Sequence, residues 1–168
     1  FKVMGIEPDK RNVEMINAKL KNGKCIVGFA ENLDIKKEFD IIWVTHVFEH
    51  LIRPDIFLKK CKKNLNKTGI LFIEVPNCEN SQILHSSIFE NPSTFHFSKK
   101  ALSNLAKQCE FKIERLDYFR APTKVEGIIN RVLKKYLGIG KTKIFPYYPK
   151  VIATKENGTD IRLILRKK

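Results

Sequence analysis

This sequence predicts an α/β fold, a doubly wound, largely parallel sheet with an antiparallel strand near its C-terminal end. Three observations predict it. Short apolar runs alternate with amphipathic segments from the first residue to about 119. Asp40–Val44 (DIIWV) is apolar on both faces, as strands in the middle of a parallel sheet are. A late pair of apolar runs, Val151–Thr154 and Ile161–Leu165, flanks Glu156-Asn157-Gly158, a turn signal that predicts a hairpin.

Taken in order, FKVMGI at the start reads as a strand ending at Glu7-Pro8. Asp9 caps a helix over Lys10–Lys21, with Val13, Ile16 and Leu20 near helical spacing, and Asn22-Gly23 stops it. Lys24–Val27 is a second strand and Gly28–Leu33 a loop. After strand Asp40–Val44, Pro54 opens a helix running to about Asn66, with Ile56, Phe57, Cys61 and Leu65 turned inward and Gly69 as its stop. Ile70–Val75 is the next buried strand. Asn77–Phe97 shows no clear period and reads as a long loop with one turn of helix at most. Ser98 caps a helix over Lys99–Gln108, and Phe111–Phe119 alternates as a strand does. Glu126–Leu137 is an amphipathic helix, and Pro146–Pro149 a loop.

The length of 168 residues suits one domain (1–168), with 120–158 as a basic helical insert before the last strand. No apolar run reaches the 18–20 residues or so that a membrane span needs, and no signal-peptide pattern stands at the start. Four well-separated cysteines without a C-x-x-C pair point away from zinc and disulfides and towards a reducing, cytoplasmic setting. The net charge is +14. Residues 120–168 supply most of it, with thirteen Lys or Arg against three Asp or Glu. Such a segment attracts phosphates, nucleic acid or anionic lipid.

Candidate site residues collect at strand ends, where open α/β sheets bind ligands. Glu7 ends the first strand, where an acidic residue can hold ribose hydroxyls. Gly28–Asn32 follows the second, with a small residue and a carboxylate suited to an adenine edge. His46, Glu49 and His50 follow the third as H-x-x-E-H. One helical turn there puts the three on one face, as metal ligands or as an acid and base near neutral pH. His96, between Phe95 and Phe97, can approach from the long loop.

Together, GIEP at Gly5–Pro8, GFAENL at Gly28–Leu33, FDIIWVTHVFEHLIRP at Phe39–Pro54, GILFIEVPN at Gly69–Asn77 and FHFSKKALSNLAKQCEF at Phe95–Phe111 resemble the class I S-adenosylmethionine-dependent methyltransferases, in their type 11/12/23 branch. The resemblance covers about Lys2 to Phe119 and the closing strand Ile161–Leu165. It implies a Rossmann-like sheet and S-adenosylmethionine as cofactor, with Glu7 at the ribose, Ala30 and Glu31 at the adenine, and Thr45, His46 and Val47 along the methionine part. It implies methyl transfer to an oxygen of a small-molecule, glycan or lipid-linked acceptor, with His50 or His96 as base. Related ubiquinone-pathway and small-RNA enzymes imply a divalent metal at His46, Glu49 and His50, although His46 stands where that pattern has a carboxylate. The first strand and Gly-rich cofactor turn are absent from these residues, which reads as a fragment with unpaired sheet edges and weakened cofactor binding. The rival reading is a non-catalytic module of the same fold that holds nucleic acid or anionic lipid through its basic C-terminal third. Nucleic acid is the less favoured partner, because that third lacks aromatic residues interleaved along a basic stripe. A nicotinamide-dependent reductase would also use Glu7, but no Y-x-x-x-K follows. The oligomeric state leaves no mark in the sequence.

Overall fold

The computed structural model describes residues 2–32, 35, 38–124 and 151–168. The order is β1 (Val3–Glu7), α1 (Lys10–Lys19), β2 (Gly23–Val27), β3 (Phe39–Thr45), a 3-10 turn (Phe48–His50), α2 (Pro54–Asn64), β4 (Leu65–Pro76), α3 (Ser81–Phe89), α4 (Lys99–Gln108), β5 (Phe111–Arg120), β6 (Val151–Ala153) and β7 (Asp160–Lys167). The amphipathic helix and loop expected between residues 126 and 149 lie outside the described residues.

The strands form two sheets. β1 and β2 pair in parallel with Gly5 opposite Cys25. The other five stand in the order β3-β4-β7-β5-β6, with β3 and β4 parallel and the remaining pairs antiparallel. Among the described residues β1 and β3 each keep one edge unpaired. A side-chain link joins the two parts: Glu31, after β2, accepts from the Arg53 N–H at 2.5 Å, and Lys60 Nζ donates to the Glu31 carbonyl.

One face of the larger sheet is the core. Side chains alternate across a strand, so Val44, Leu71, Ile73, Val75, Ile161, Leu163 and Leu165 share a side, and all are buried. Phe57, Leu58 and Cys61 of α2 and Leu102 and Ala106 of α4 cover them. On the opposite face Trp43 stacks on Phe72 at 4.1 Å and stays half exposed.

The structure corrects four expectations. Residues 81–89 form a nine-residue helix, not a loop, capped by the Asn80 side chain on the Gln82 N–H. Gly69 does not stop α2. Leu65 is already in β4, and Gly69 lies where the register jumps and an added Cβ would stand 2.9 Å from the Phe39 carbonyl oxygen. Leu58 is buried on α2, where Ile56 is only half-buried. Finally, β6 and β7 do not pair as a hairpin: β5 lies between them. The six-residue connection 154–159 is too wide for a tight hairpin turn. It passes the end of β5, where the Thr159 N–H donates to the Phe119 carbonyl, and is held by Asn77, whose Nδ2 donates to the carbonyls of Lys155 and Gly158. Among the described residues no helix is long and apolar enough to cross a membrane.

Candidate functional site

The site grows from the loop after β3. His46 takes a left-handed backbone conformation (φ 51°), unusual for a residue with a side chain. Its N–H donates to the Glu74 carbonyl at 3.0 Å, and the turn brings its ring over the ends of β4 and β7. Phe48 anchors the following 3-10 turn. It is fully buried, stacked on Phe97 at 5.2 Å and tilted against Phe57 at 6.1 Å. Two further bonds close the loop: the Phe95 N–H donates to the Glu49 carbonyl and Thr94 Oγ1 to that of His50.

Three carboxylates surround His46. Its Nδ1 lies 3.6 Å from Glu49 Oε1, and its Nε2 lies 3.5 Å from both Glu74 Oε1 and Asp160 Oδ1. Glu49, Glu74 and Asp160 are all buried, and His46 is half-buried. Glu49 and then Glu74, helped by Asp160 and opposed by partial burial, push the His46 imidazole up to about 9, so it carries a proton at neutral pH. The other oxygens of the deeper pair are held as well. Arg162 Nε donates to Glu74 Oε2 at 2.5 Å, and Thr159 Oγ1 to Asp160 Oδ2 at 2.6 Å. His50 Nε2 lies 3.8 Å from the same Glu49 oxygen that faces His46.

These groups open onto a cavity of about 370 Å³, bounded by His46, Glu49, His50 and Asp160 on the sheet side and by Ile83 and Ser86 of α3. The missed helix is therefore one wall of the site. His96 stands behind that wall, with its Nε2 3.3 Å from the Ser87 carbonyl oxygen.

The residues expected at a cofactor line successive strand ends. Glu7 Oε1 accepts from the Asp9 N–H and from Asn12 Nδ2. Ala30 packs against the core, and Glu31 holds the Arg53 N–H. Val47 is 42% exposed. Thr45 Oγ1 and Glu49 Oε2 are the buried side-chain oxygens that lack a hydrogen-bond partner among the described residues, and both belong to the end of β3 and its loop. Such orphaned atoms are costly unless a ligand completes them, so the residues fit a ligand that crosses this edge.

Of the expected metal set, His46 and Glu49 meet directly, and His50 reaches only Glu49. The donor atoms that converge among the described residues are those of His46, Glu74 and Asp160, within 4.8 Å of one another. Neither acid was expected at the site. Glu74 was marked by being a charge inside the apolar run ILFIEV. Asp160 lies just past the Glu156-Asn157-Gly158 turn signal, where an acidic residue carries no mark of a buried site.

Residues 1–73 match the family model described as a methyltransferase domain. The ubiquinone biosynthesis O-methyltransferase of Pelagibacter ubique is 35% identical over 79 residues, covering 45% of this chain and 33% of that protein. Its counterpart from Mesorhizobium japonicum is 31% identical over 80 residues, covering 45% of this chain and 32% of that protein. The matched part thus spans about a third of the length of these curated relatives. Among solved structures, a Thermotoga maritima S-adenosylmethionine-dependent methyltransferase, described as a possible histamine N-methyltransferase, superposes with a TM-score of 0.68 at 19% identity. The match covers 98% of this chain and 72% of that one. A Mesorhizobium loti S-adenosylmethionine-dependent methyltransferase gives 0.69 at 10% identity, covering 99% and 80%. At these identities the solved structures speak for the fold.

Proposed function

We propose that the chain acts as a class I S-adenosylmethionine-dependent methyltransferase, a reading supported by the match of residues 1–73 to a methyltransferase-domain model, and that its acidic cavity receives the acceptor, a small molecule that reacts through oxygen. The observation that carries this reading is the His50–Glu49 pair on the cavity wall, one loop from the strand ends suited to the cofactor. That the curated relatives are named O-methyltransferases supports oxygen as the atom methylated. A glycan or lipid-linked acceptor, drawn to the basic C-terminal third of a cytoplasmic protein, is the wider form of the same proposal.

When bound, the cofactor supplies an electrophilic sulfonium methyl. In this proposal Glu7, Ala30, Glu31, Thr45, His46 and Val47 hold it, with Thr45 Oγ1 gaining the partner it lacks. The chain's own contribution is positioning and proton handling. Three carboxylates surround His46, so it steers charge, and the role of base falls to His50. His50 Nε2 accepts the acceptor's hydroxyl proton, and Glu49 stabilises the imidazolium that forms. His96 braces α3 through Ser87 and acts as a positioning residue.

In the full-length protein, His50→Ala is expected to lower turnover about 10²- to 10³-fold while calorimetry with S-adenosylhomocysteine shows unchanged binding. His96→Ala is expected to raise KM more than it lowers kcat. Unchanged turnover in His50→Ala overturns the assignment of the base.

A further inference from the structure

We propose that His46, Glu74 and Asp160 form a binding site for an oxygen-preferring divalent cation of the Mn²⁺ or Mg²⁺ type, with Glu49 as the carboxylate that orients the histidine.

The spacing is the first argument. His46 Nε2 stands 3.5 Å from Glu74 Oε1 and 3.5 Å from Asp160 Oδ1. Charge-assisted N–H···O⁻ bonds settle at about 2.7–2.9 Å, and both of these separations are longer. Donors about 2.1 Å from a shared ion stand roughly 3.0–3.4 Å apart at octahedral to tetrahedral angles. The two distances from His46 are therefore closer to those of co-ligands than to those of hydrogen-bond partners, and all three donor atoms lie within 4.8 Å of one another.

The surroundings form the second argument. A histidine that binds a metal through one nitrogen usually donates its other N–H to a carboxylate, which sets tautomer and ring orientation. Glu49 Oε1, 3.6 Å from His46 Nδ1, is in that position. Ligating carboxylates are themselves held, here by Arg162 on Glu74 and by Thr159 on Asp160. Three buried acids face His46, His50 and Arg162, and a divalent ion takes the place of the proton on His46 Nε2, which binding releases.

The third argument is independent of the trio. Glu49 is 2% exposed, lines the same cavity, and its Oε2 has no hydrogen-bond partner among the described residues. A water bound to the cation supplies the missing donor. The donor set, two carboxylates and one imidazole, suits Mn²⁺ or Mg²⁺ better than thiophilic ions. The half-buried His46 leaves a path from solvent.

The test uses the full-length protein and Mn²⁺ itself, titrated by calorimetry and by the loss of the free-ion electron paramagnetic resonance signal. The expected result is one Mn²⁺ per chain with nitrogen coupling from a histidine. His46→Gln and Asp160→Asn should each weaken binding at least tenfold, and Glu49→Gln by about tenfold. His50→Gln should leave Mn²⁺ affinity unchanged, which separates this trio from a site built on the loop histidines. If Asp160→Asn does not fold, the half-exposed His46→Gln carries the test. No stoichiometric Mn²⁺ binding, or equal loss in His50→Gln and His46→Gln, overturns the proposal. Binding is read without turnover, so a protein that holds Mn²⁺ but transfers no methyl group would sink only the function proposed above.

Discussion

At the residue scale, Glu74 carries the most constraint. It is 4% exposed and shared between Arg162 and His46. Removing one partner of a buried pair strands a charge, and the loss exceeds what the pair itself contributes. Arg162→Leu is therefore expected to destabilise the protein by about 3 kcal/mol, read from the midpoint of urea unfolding. The double change Arg162→Leu with Glu74→Leu should recover most of it; if it does not, the arginine acts through its stacking on Phe119 at 4.5 Å and not through charge. The same residue shows how far the site could be read in advance. A glutamate in an otherwise apolar buried strand announces a partner, but not which one, because Arg162 and Asp160 lie more than eighty residues away. His46, Glu49 and His50 could be read because they are neighbours in sequence. The left-handed backbone at His46, which aims the ring at β4 and β7, left no trace in residue type.

At the element scale, α3 and the 154–159 connection were misread for one reason: distant side chains hold them. SQILHSSIF lacks a clear polar and apolar alternation, and its helix relies on the Asn80 cap and on packing over the cavity. The turn residues at 156–158 correctly signal a reversal, yet a reversal does not state which strand will lie beside it, and β5 takes the place. Glu79 fastens these pieces together. It accepts from the Lys99 N–H at 2.9 Å, opening α4, and from the Tyr118 hydroxyl at 2.8 Å, on β5, and it lies 3.4 Å from Lys155 Nζ. Burial alone would raise its carboxyl, but the bonds from Lys99, Tyr118 and Lys155 outweigh it and hold the group below its ordinary value of 4.5. Burial, then the same carboxylate, pushes the Tyr118 hydroxyl up to about 12. A folded-state value lowered in this way contributes stability above the unfolded value, and that stability is lost as pH falls through the folded one. The urea midpoint should therefore drop as pH is lowered from about 5 to about 3. Glu79→Gln should flatten that drop; an identical pH profile in the variant would remove Glu79 from this role.

At the scale of the whole molecule, the alternation of strands and helices was legible because each element buries one face by its own periodicity. The parallel pairs, the core face and the antiparallel return of β7 all follow from it. The division into two sheets left no mark in the sequence, since β1 and β3 individually look like any interior strands. Two-stranded units are marginal unless packed on something larger. Native-state hydrogen exchange is expected to release the amides of β1, α1 and β2 well before those of β4, β7 and β5. Equal protection across both sheets would mean that the two fold as one cooperative unit.

The pairing of Trp43 with Phe72 has a use outside energetics. The chain contains a single tryptophan, and it sits half exposed on β3, beside the edge left unpaired among the described residues. Its indole is a built-in optical gauge of that border. Anything that settles there, whether a strand, a cofactor or a second protein, must alter the polarity around one chromophore, and so can be followed by the colour of its emission without any label.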